Sequence, residues 1–282
     1  MAGATITIHL PTADPQGLRI AELSNWNGKA LAVPRTALPH LLAREEMQGA
    51  GVYLLIGVSG ETGQPLLYVG EAENLRQRLK GHTKVEFWVQ AVAFLSQGDN
   101  LTKAHIKYLE GRLIDRAEGA GRAHLENANA SGAKLPEADK SDMEGFLERM
   151  LLLLPVLGCD LFTQLASPTL SNPAEHLTCR YKKLLAHGTR TPKGFVVVKD
   201  SQAASELVPW AAQNAKWLQT LRERLLATKV LVPGKGCLRF SRNYEFNSPT
   251  AAAAVVRGNH ANGLTEWRDS KGASLKDLDA SV

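Results

Sequence analysis

Two tyrosines near the middle of the chain are spaced so that they could share one catalytic site. Tyr53 and Tyr68 lie in the short apolar runs "GVYLLIGV" and "PLLYVG", which a turn-rich loop connects. If Val58 pairs with Pro65 at the ends of this loop, Tyr53 lies opposite Gly70. Both phenols then point to the same face of a β-hairpin, because side chains alternate along a strand.

A short helix after the second tyrosine carries the next two candidates. The segment "ENLRQRLKGH" has two leucines four residues apart, which gives it an apolar side. Arg78 and His82 are also four residues apart, so they share a face of this helix, and we expect Arg78 to be held against the sheet. Arg76 and Lys80 lie toward another side, where solvated bases are the rule. We include them only as candidate substrate contacts.

Glu110 lies at the edge of the apolar stripe of a longer helix, "LTKAHIKYLEGRLIDRAEGAG". A carboxylate in such a position is costly unless a cation or hydrogen-bond donors satisfy it. Pairing with Lys107, Arg112 or Arg116 at shallow depth is one solution. A divalent cation is the other, and carboxylate oxygens suit Mg²⁺.

In order along the chain, "GVY", "YVG", "NLRQRL" and "YLEGRLI" resemble the motifs of GIY-YIG endonucleases. The resemblance covers roughly residues 50–130. Its motifs contain two tyrosines, an arginine, a histidine found in restriction-type members, and a metal-binding glutamate. In this chain the matching residues are Tyr53, Tyr68, Arg78, His82 and Glu110.

The resemblance implies metal-dependent hydrolysis of phosphodiester bonds in DNA. Glu110 would hold one Mg²⁺, or another divalent cation such as Mn²⁺, and Arg78 would clamp a phosphate oxygen. Tyr53 is the candidate base, although a phenol must have its pKa lowered to act as one near neutral pH. His82 is the alternative proton acceptor, or a relay from Tyr53. Tyr68 would bind a phosphate or orient the water.

Members of this family also use a later asparagine, for which Asn127 is the candidate substrate contact and Asn129 the alternative. Two other functions stay open at this point. One is a DNA-binding protein whose nuclease module is inactive, against which the intact motif residues argue. The other is a nuclease acting on RNA or branched DNA, because the chemistry at the phosphate is the same. The implied biology is restriction, defence or a mobile element.

The sequence predicts an α+β (mixed α/β) protein. We expect a small antiparallel sheet flanked by helices, followed by a second α+β domain. The expected boundaries are 1–47 for a β-rich extension, 48–130 for the nuclease domain, 131–192 for a loop, helix and linker, and 193–282 for the C-terminal domain. That last domain resembles a domain of unknown function often attached to GIY-YIG nucleases, and a DNA-contacting role is implied for it.

The amino-acid composition limits which partners, cysteine chemistry and cellular location we expect. The net charge of +5 and the pI of about 9.1 are compatible with a polyanionic partner. Three scattered cysteines indicate neither a disulfide framework nor a zinc site. No signal peptide and no membrane-spanning run is evident, so we expect a cytoplasmic protein without a membrane partner. One active site cuts one strand at a time, so double-strand cleavage would require a transient dimer or sequential nicking.

Tryptophans and basic residues elsewhere have simpler interpretations. We expect Trp88 to be a core residue of the first domain. "WAAQNAKWLQTLRERLLATKVL" predicts one long amphipathic helix over 210–231, and "CLRFSRNYEF" predicts a strand over 237–246. Residues 262–275 are typical of a closing hairpin. The expected core of the second domain includes Trp210, Trp217 and Trp267. A solvated face and a phosphate track are both open interpretations of a basic cluster near the linker, which contains Arg180, Lys182, Lys183, Arg190 and Lys193.

Overall fold

The chain folds into two compact units, each with its own hydrophobic core. They comprise Met1–Thr163 and Gln164–Val282. The computed structural model describes residues 3–61, 63–98, 100–127, 132–163 and 176–280. Within these ranges the protein is α+β, with several antiparallel sheets and packed helices, which confirms the predicted class.

The first unit is built on a seven-stranded sheet in the order β1-β2-β3-β6-β4-β5-β7. Neighbouring strands are antiparallel except for β5 and β7. The N-terminal strands therefore extend the sheet that carries the hairpin. The elements are β1 (Ile6–His9), β2 (Arg19–Leu23), β3 (Gly28–Pro34), α1 (Leu38–Leu42), β4 (Gly51–Val58), β5 (Pro65–Ala72), α2 (Leu75–Gly81), β6 (Trp88–Ser96), α3 (Lys103–Ala120), β7 (His124–Leu125) and α4 (Glu137–Val156).

The hairpin of β4 and β5 adopts the register that the sequence predicted. Val58 pairs with Pro65, and Tyr53 lies opposite Gly70. Strand β4 has neighbours on both sides, which explains its nearly continuous apolar sequence. Its alternate residues enter two different cores: Leu54 packs on the side of α3 and α4, and Tyr53 packs on the side of α1 and α2.

The second unit contains a five-stranded and a three-stranded sheet. Their orders are β14-β10-β9-β8-β15 and β11-β13-β12. Helix α7 follows the Ser248 N-cap, begins with Pro249 and is ended by the Gly258 C-cap. The elements are β8 (Leu177–Tyr181), β9 (Leu184–Thr191), β10 (Gly194–Val197), β11 (Gln202–Ala203), α5 (Pro209–Asn214), α6 (Lys216–Ala227), β12 (Leu231–Pro233), β13 (Leu238–Phe240), β14 (Tyr244–Phe246), α7 (Pro249–Arg257), α8 (Gly263–Glu266), β15 (Trp267–Arg268) and α9 (Leu275–Ala280).

The boundaries between the expected domains differ from those observed. The range 131–192 was expected to contain a loop, a helix and the linker. Its helix, α4, belongs to the core of the first unit, whereas its last part forms the β8–β9 hairpin of the second unit. The basic, polar sequence of this hairpin resembles a linker because β8 and β9 each expose some of their side chains to solvent.

Two further expectations for the second unit were wrong, and a third was correct only in part. The helix predicted over 210–231 is interrupted at Ala215, where the backbone leaves the helical region, and β12 begins at Leu231. The strand predicted over 237–246 is two strands, β13 and β14, which belong to different sheets. The closing segment over 262–275 contains the short helix α8 and strand β15, which pairs with β8. The predicted hairpin is reduced to one antiparallel bridge, between Arg268 and Ser274.

The tryptophans of the second unit divide into two kinds. Trp267 is fully buried against Phe195, as expected. Trp210 and Trp217 were expected in the core, but 56% and 49% of their surfaces are exposed. In the first unit Trp88 is a core residue, as predicted. No helix in the described part of the chain is long and apolar enough to cross a membrane.

Candidate active site

Four of the predicted residues form one hydrogen-bonded group, which we call the hairpin cluster: Tyr53, Tyr68, Arg78 and His82. The Tyr53 Oη atom lies 2.8 Å from His82 Nε2. Arg78 donates from Nε to Tyr53 Oη at 3.0 Å and from Nη2 to Tyr68 Oη at 3.2 Å. The two phenol rings are stacked with their centroids 6.0 Å apart, and the His82 ring lies 5.0 Å from that of Tyr68.

Gly70 makes room for the first phenol. A Cβ atom at this position would lie 2.4 Å from both Cζ and Oη of Tyr53, which is too close for any real contact. Because Gly70 is the register partner of Tyr53, the sequence contained the signal for this requirement. The glycine of "YVG" is thus needed for space, since the backbone approaches the ring closely.

Helix α2 brings Arg78 and His82 to the tyrosines. Its N-terminus is capped by Asn74, whose side chain accepts a hydrogen bond from the backbone N–H of Gln77 at 2.9 Å. Leu75 and Leu79 are buried beneath the helix. The predicted four-residue spacing therefore places both polar side chains against the phenols, with His82 at the C-cap.

Burial and charge shift the pKa values within the cluster. Burial lowers the pKa of His82 below its usual value, and the nearby Arg78 guanidinium lowers it further. Burial, with the neighbouring Tyr68, raises the pKa of the Tyr53 phenol. Both shifts favour the neutral forms of the two groups, and the imidazole tautomer decides which of Tyr53 Oη and His82 Nε2 donates the hydrogen bond between them.

Arg35, which sequence reasoning missed, holds the segment that follows His82. Its guanidinium donates to the carbonyl oxygens of Thr83 at 2.8 Å, of Trp88 at 3.3 Å, and of Val85. It also lies 4.6 Å from the centroid of the Trp88 ring. Trp88 Nε1 in turn donates to the His82 carbonyl oxygen at 3.1 Å. A residue from the N-terminal extension thus supports the backbone on which the imidazole is mounted.

Glu110 lies on α3, which packs against the opposite face of the sheet from Tyr53. Its partly buried carboxyl group has a raised pKa, first because of burial and then because of the negative charge of Glu71. The positive charges of Lys103 and Arg78 act on the same carboxyl group in the opposite direction. Glu110 is therefore close enough to Arg78 for electrostatic coupling, although it is not hydrogen-bonded into the cluster.

Glu110 offers one carboxylate of the kind that a hard cation prefers. Among the described residues Glu110 forms no ion pair, so the predicted pairing with Lys107, Arg112 or Arg116 is absent there. Glu71, the second carboxylate, is paired with Lys103 at 2.8 Å. The described part of the chain contains no group of three His, Cys, Asp or Glu side chains suited to a metal. One or two carboxylates, completed by water and phosphate oxygens, are a common environment for Mg²⁺.

The expected substrate contacts lie apart from the cluster. Arg76 is partly buried and donates to the Arg44 carbonyl oxygen at 2.6 Å, so it anchors the preceding turn. Lys80 is exposed. Asn127 accepts from the backbone N–H of Val69 at 3.1 Å and donates to its carbonyl oxygen at 2.5 Å, which fixes β5 beside Tyr68. Asn129 lies outside the described residues.

Comparison with known proteins identifies the second unit only. A family model described as "Domain of unknown function (DUF4357)" matches residues 177–279. This agrees with the resemblance of the C-terminal domain to a domain of unknown function. No GIY-YIG family model matches, so the resemblance of the first unit rests on its residues alone. No curated protein and no solved structure matches the chain. The C-terminal unit, residues 177–279, is thus similar to the domain of unknown function DUF4357.

Proposed function

We propose that the first unit is a metal-dependent endonuclease of the GIY-YIG type that hydrolyses phosphodiester bonds in DNA. The observation that carries this proposal is the hairpin cluster, in which two phenols, a guanidinium and an imidazole meet within hydrogen-bonding distance. These groups come from two strands and a helix, and they match the residues of the family motif.

Arg78 is the proposed phosphate clamp. Its Nε and Nη2 atoms donate to the two phenols, and among the described residues Nη1 has no hydrogen-bond acceptor. The side chain as a whole is exposed, so its charge is available to an anion. A guanidinium held in this way is pre-oriented to bind a non-bridging phosphate oxygen and to stabilise the charge that develops there.

The Tyr53–His82 pair is the proposed proton acceptor. Because the pKa of Tyr53 is raised, a long-lived phenolate is unfavourable, which argues against Tyr53 acting alone as the base. The lowered pKa of His82 favours the neutral imidazole, and the tautomer with its proton on Nδ1 accepts the hydrogen bond from Tyr53 Oη. When the phenol oxygen takes up a proton, the phenol's own proton can therefore pass to His82 Nε2. Tyr68, which is partly exposed, would orient the water or the phosphate.

Glu110 would hold the divalent cation, Mg²⁺ or Mn²⁺, with Glu71 as the neighbouring carboxylate. When bound, such a cation supplies Lewis-acid stabilisation of the phosphate oxygens. Glu110 must be ionised for this purpose, and its raised pKa means that the folded protein gives up stability to keep a charged carboxylate there.

The test is cleavage of supercoiled plasmid by the purified full chain with Mg²⁺. Glu110→Gln should abolish nicking, and EDTA should abolish it in the wild type. Glu118→Gln is the matched control, because Glu118 is an exposed carboxylate on the same helix. Equal cleavage by wild type and Glu110→Gln would overturn the proposal.

A panel of substrates separates the remaining alternatives. Duplex DNA, branched DNA, single-stranded DNA and RNA are compared at equal concentration in the same buffer. If the wild type cleaves only RNA or only branched DNA, and Glu110→Gln does not, the proposed chemistry stands but the substrate is different. Binding of DNA without cleavage of any member of the panel would favour the inactive DNA-binding protein.

A further inference from the structure

The two units carry opposite net charges. Residues 164–282 contain 17 Lys and Arg against nine Asp and Glu, so the second unit has a net charge of +8, whereas the whole chain has +5. The first unit, which contains the hairpin cluster, is therefore slightly acidic. The basic character of the protein resides entirely in the unit of unknown function, and this asymmetry favours a polyanionic partner for that unit.

A cleft of about 770 Å³ lies within the second unit, between β9 and the small sheet of β11, β12 and β13. Its floor is mostly apolar, and there Leu185 and Val232 are partly exposed, whereas Phe240 is fully buried. The thiol-bearing residue Cys237 also lines it and is 7% exposed. The apolar surface that is open to solvent thus comes from partly exposed residues such as Leu185 and Val232.

Positive charges border this cleft. Lys235 and Arg239 line it, and Arg180 is adjacent because it is the register partner of Leu185 on the same face of the sheet. Asp200, the acidic residue in the lining, is neutralised by Arg239 at 2.8 Å. Among the described residues neither Arg180 nor Lys235 forms an ion pair, and both are exposed.

Two polar side chains of the cleft, Gln202 and Ser241, are already engaged with the backbone. Gln202 accepts a hydrogen bond from the backbone N–H of Leu185 at 3.1 Å. Ser241 Oγ donates to the Lys229 carbonyl oxygen at 2.5 Å. Arginine and lysine at the border can bind phosphates, while the apolar floor accepts any base. Such a site would bind nucleic acid with little preference for sequence.

We propose that this cleft holds a single strand of nucleic acid, with Arg180 and Lys235 on its phosphates and its bases over the apolar floor. A duplex could enter such a cleft only by separating its strands. The proposal rests on the proposed nuclease function only for the choice of nucleic acid as the polyanion. It gives the second unit the task of holding a strand without reading its sequence.

The test is the binding of a fluorescent 15-nucleotide dT oligomer to the full chain in EDTA, measured by anisotropy over a range of salt concentrations. Arg180→Ala combined with Lys235→Ala should weaken binding and reduce the slope of log K against log[salt] by about 1.4, since each lost contact to single-stranded phosphate contributes about 0.7. The control removes Lys271 and Lys276, two exposed lysines of the same unit that do not line the cleft. It should leave the slope unchanged. Oligomers of dT and dA should bind with similar affinity.

A second readout locates the bound strand. All three cysteines are buried, but Cys237 lines the cleft and is 7% exposed, against 1% for Cys159 and 0% for Cys179. The oligomer should slow the reaction of Cys237 with a thiol reagent. An unchanged Cys237 rate, or an equal loss of binding in the Lys271/Lys276 control, would overturn the proposal. Displacement of the oligomer by poly-glutamate at equal charge would assign the cleft to an acidic protein segment and overturn it as well.

The failure of this proposal can be distinguished from failure of the nuclease. Glu110→Gln should bind the oligomer as the wild type does, because the cleft lies entirely within the second unit. Binding with an inactive first unit would support the strand site and contradict the nuclease. Cleavage with no cleft-dependent binding would support the nuclease and contradict the strand site.

Discussion

The first unit contains two clusters built from a tyrosine and an arginine, and they differ in how the arginine is neutralised. In the hairpin cluster the Arg78 guanidinium contacts two phenols and an imidazole lies nearby. Between α3 and α4, Arg112 donates from Nε and Nη2 to the two Glu144 carboxylate oxygens at 2.5 and 3.1 Å. Tyr108 donates to the same carboxylate at 2.6 Å. We call this second group the interhelical cluster: Tyr108, Arg112 and Glu144.

The difference shows which arginine is available for chemistry. In the interhelical cluster the pKa of Glu144 is lowered to about 2, chiefly by the hydrogen bond from Arg112, so the charges satisfy each other. Such a closed ion pair joins two helices and has no capacity left for a ligand. The hairpin cluster has no carboxylate of its own, so the charge of Arg78 remains available to an incoming phosphate.

The largest contrast should appear when each arginine is replaced by glutamine. Arg78→Gln should slow plasmid nicking by about 10²–10³-fold, because a group that stabilises transition-state charge is lost. Arg112→Gln should leave nicking close to wild type and lower the free energy of unfolding by about 1–2 kcal/mol, as a charged hydrogen-bonded pair is broken. Nicking rates and urea unfolding measure the two effects. A similar loss of activity in both variants would remove the distinction between the clusters.

Steric displacement of Tyr53 should have the next largest effect. Gly70→Ala places a methyl group where the phenol oxygen lies, so nicking should fall by about 10²-fold and stability by about 1–3 kcal/mol. Gly119→Ala is the control, because nothing lies within 4 Å of the added Cβ in α3. That change should stabilise the helix by about 0.5–1 kcal/mol. Wild-type nicking by Gly70→Ala would show that the position of Tyr53 is unimportant.

Arg35 should act as a positioning residue with a smaller effect. Arg35→Gln loosens the backbone beyond His82, so kcat should fall by about tenfold while KM stays the same, since substrate contacts are unaffected. Arg19→Gln is the control, because Arg19 also donates to a backbone carbonyl oxygen, that of Leu157. An increase in KM with unchanged kcat in Arg35→Gln would indicate a direct contact with substrate instead.

The smallest expected effect is the change in stability when the charge of Glu144 or Glu110 is removed, and the two changes have opposite signs. The lowered pKa of Glu144 contributes stability that is present above its ordinary pKa of 4.5 and is lost as the pH falls toward 2. The raised pKa of Glu110 has the reverse effect, because ionisation near neutral pH costs stability. Urea unfolding at pH 7 should show Glu144→Gln to be less stable by about 1 kcal/mol and Glu110→Gln to be slightly more stable than the wild type. Destabilisation of similar size in both would contradict the assigned environments.

The sequence predicted the hairpin cluster because its geometry is local. The register of β4 and β5 follows from the loop and the alternating pattern, and the spacing of Arg78 and His82 follows from one helix. Arg35 could not be predicted in this way. The residues that it contacts beyond His82 lie 48 to 53 positions later in the sequence, and only the assembled sheet brings them close to Arg35.

The prediction was less accurate for the second unit, because residue type alone does not show whether a side chain is buried or whether a segment is a strand. Trp210 and Trp217 were assigned to the core on the assumption of one continuous helix. The interruption at Ala215 separates the two tryptophans into different helices, and the periodicity that placed them on the buried side no longer applies. The basic β8–β9 hairpin was interpreted as a linker because strands with exposed charged residues lack a strong apolar pattern.

The most direct test of the account is single-turnover nicking of supercoiled plasmid in Mg²⁺ by three proteins: the wild type, Glu110→Gln and Glu144→Gln. We predict that Glu144→Gln nicks at nearly the wild-type rate, whereas Glu110→Gln is at least about 10²-fold slower. Equal rates for the wild type and Glu110→Gln would contradict the account, because the hairpin cluster would then lack its proposed metal-holding carboxylate.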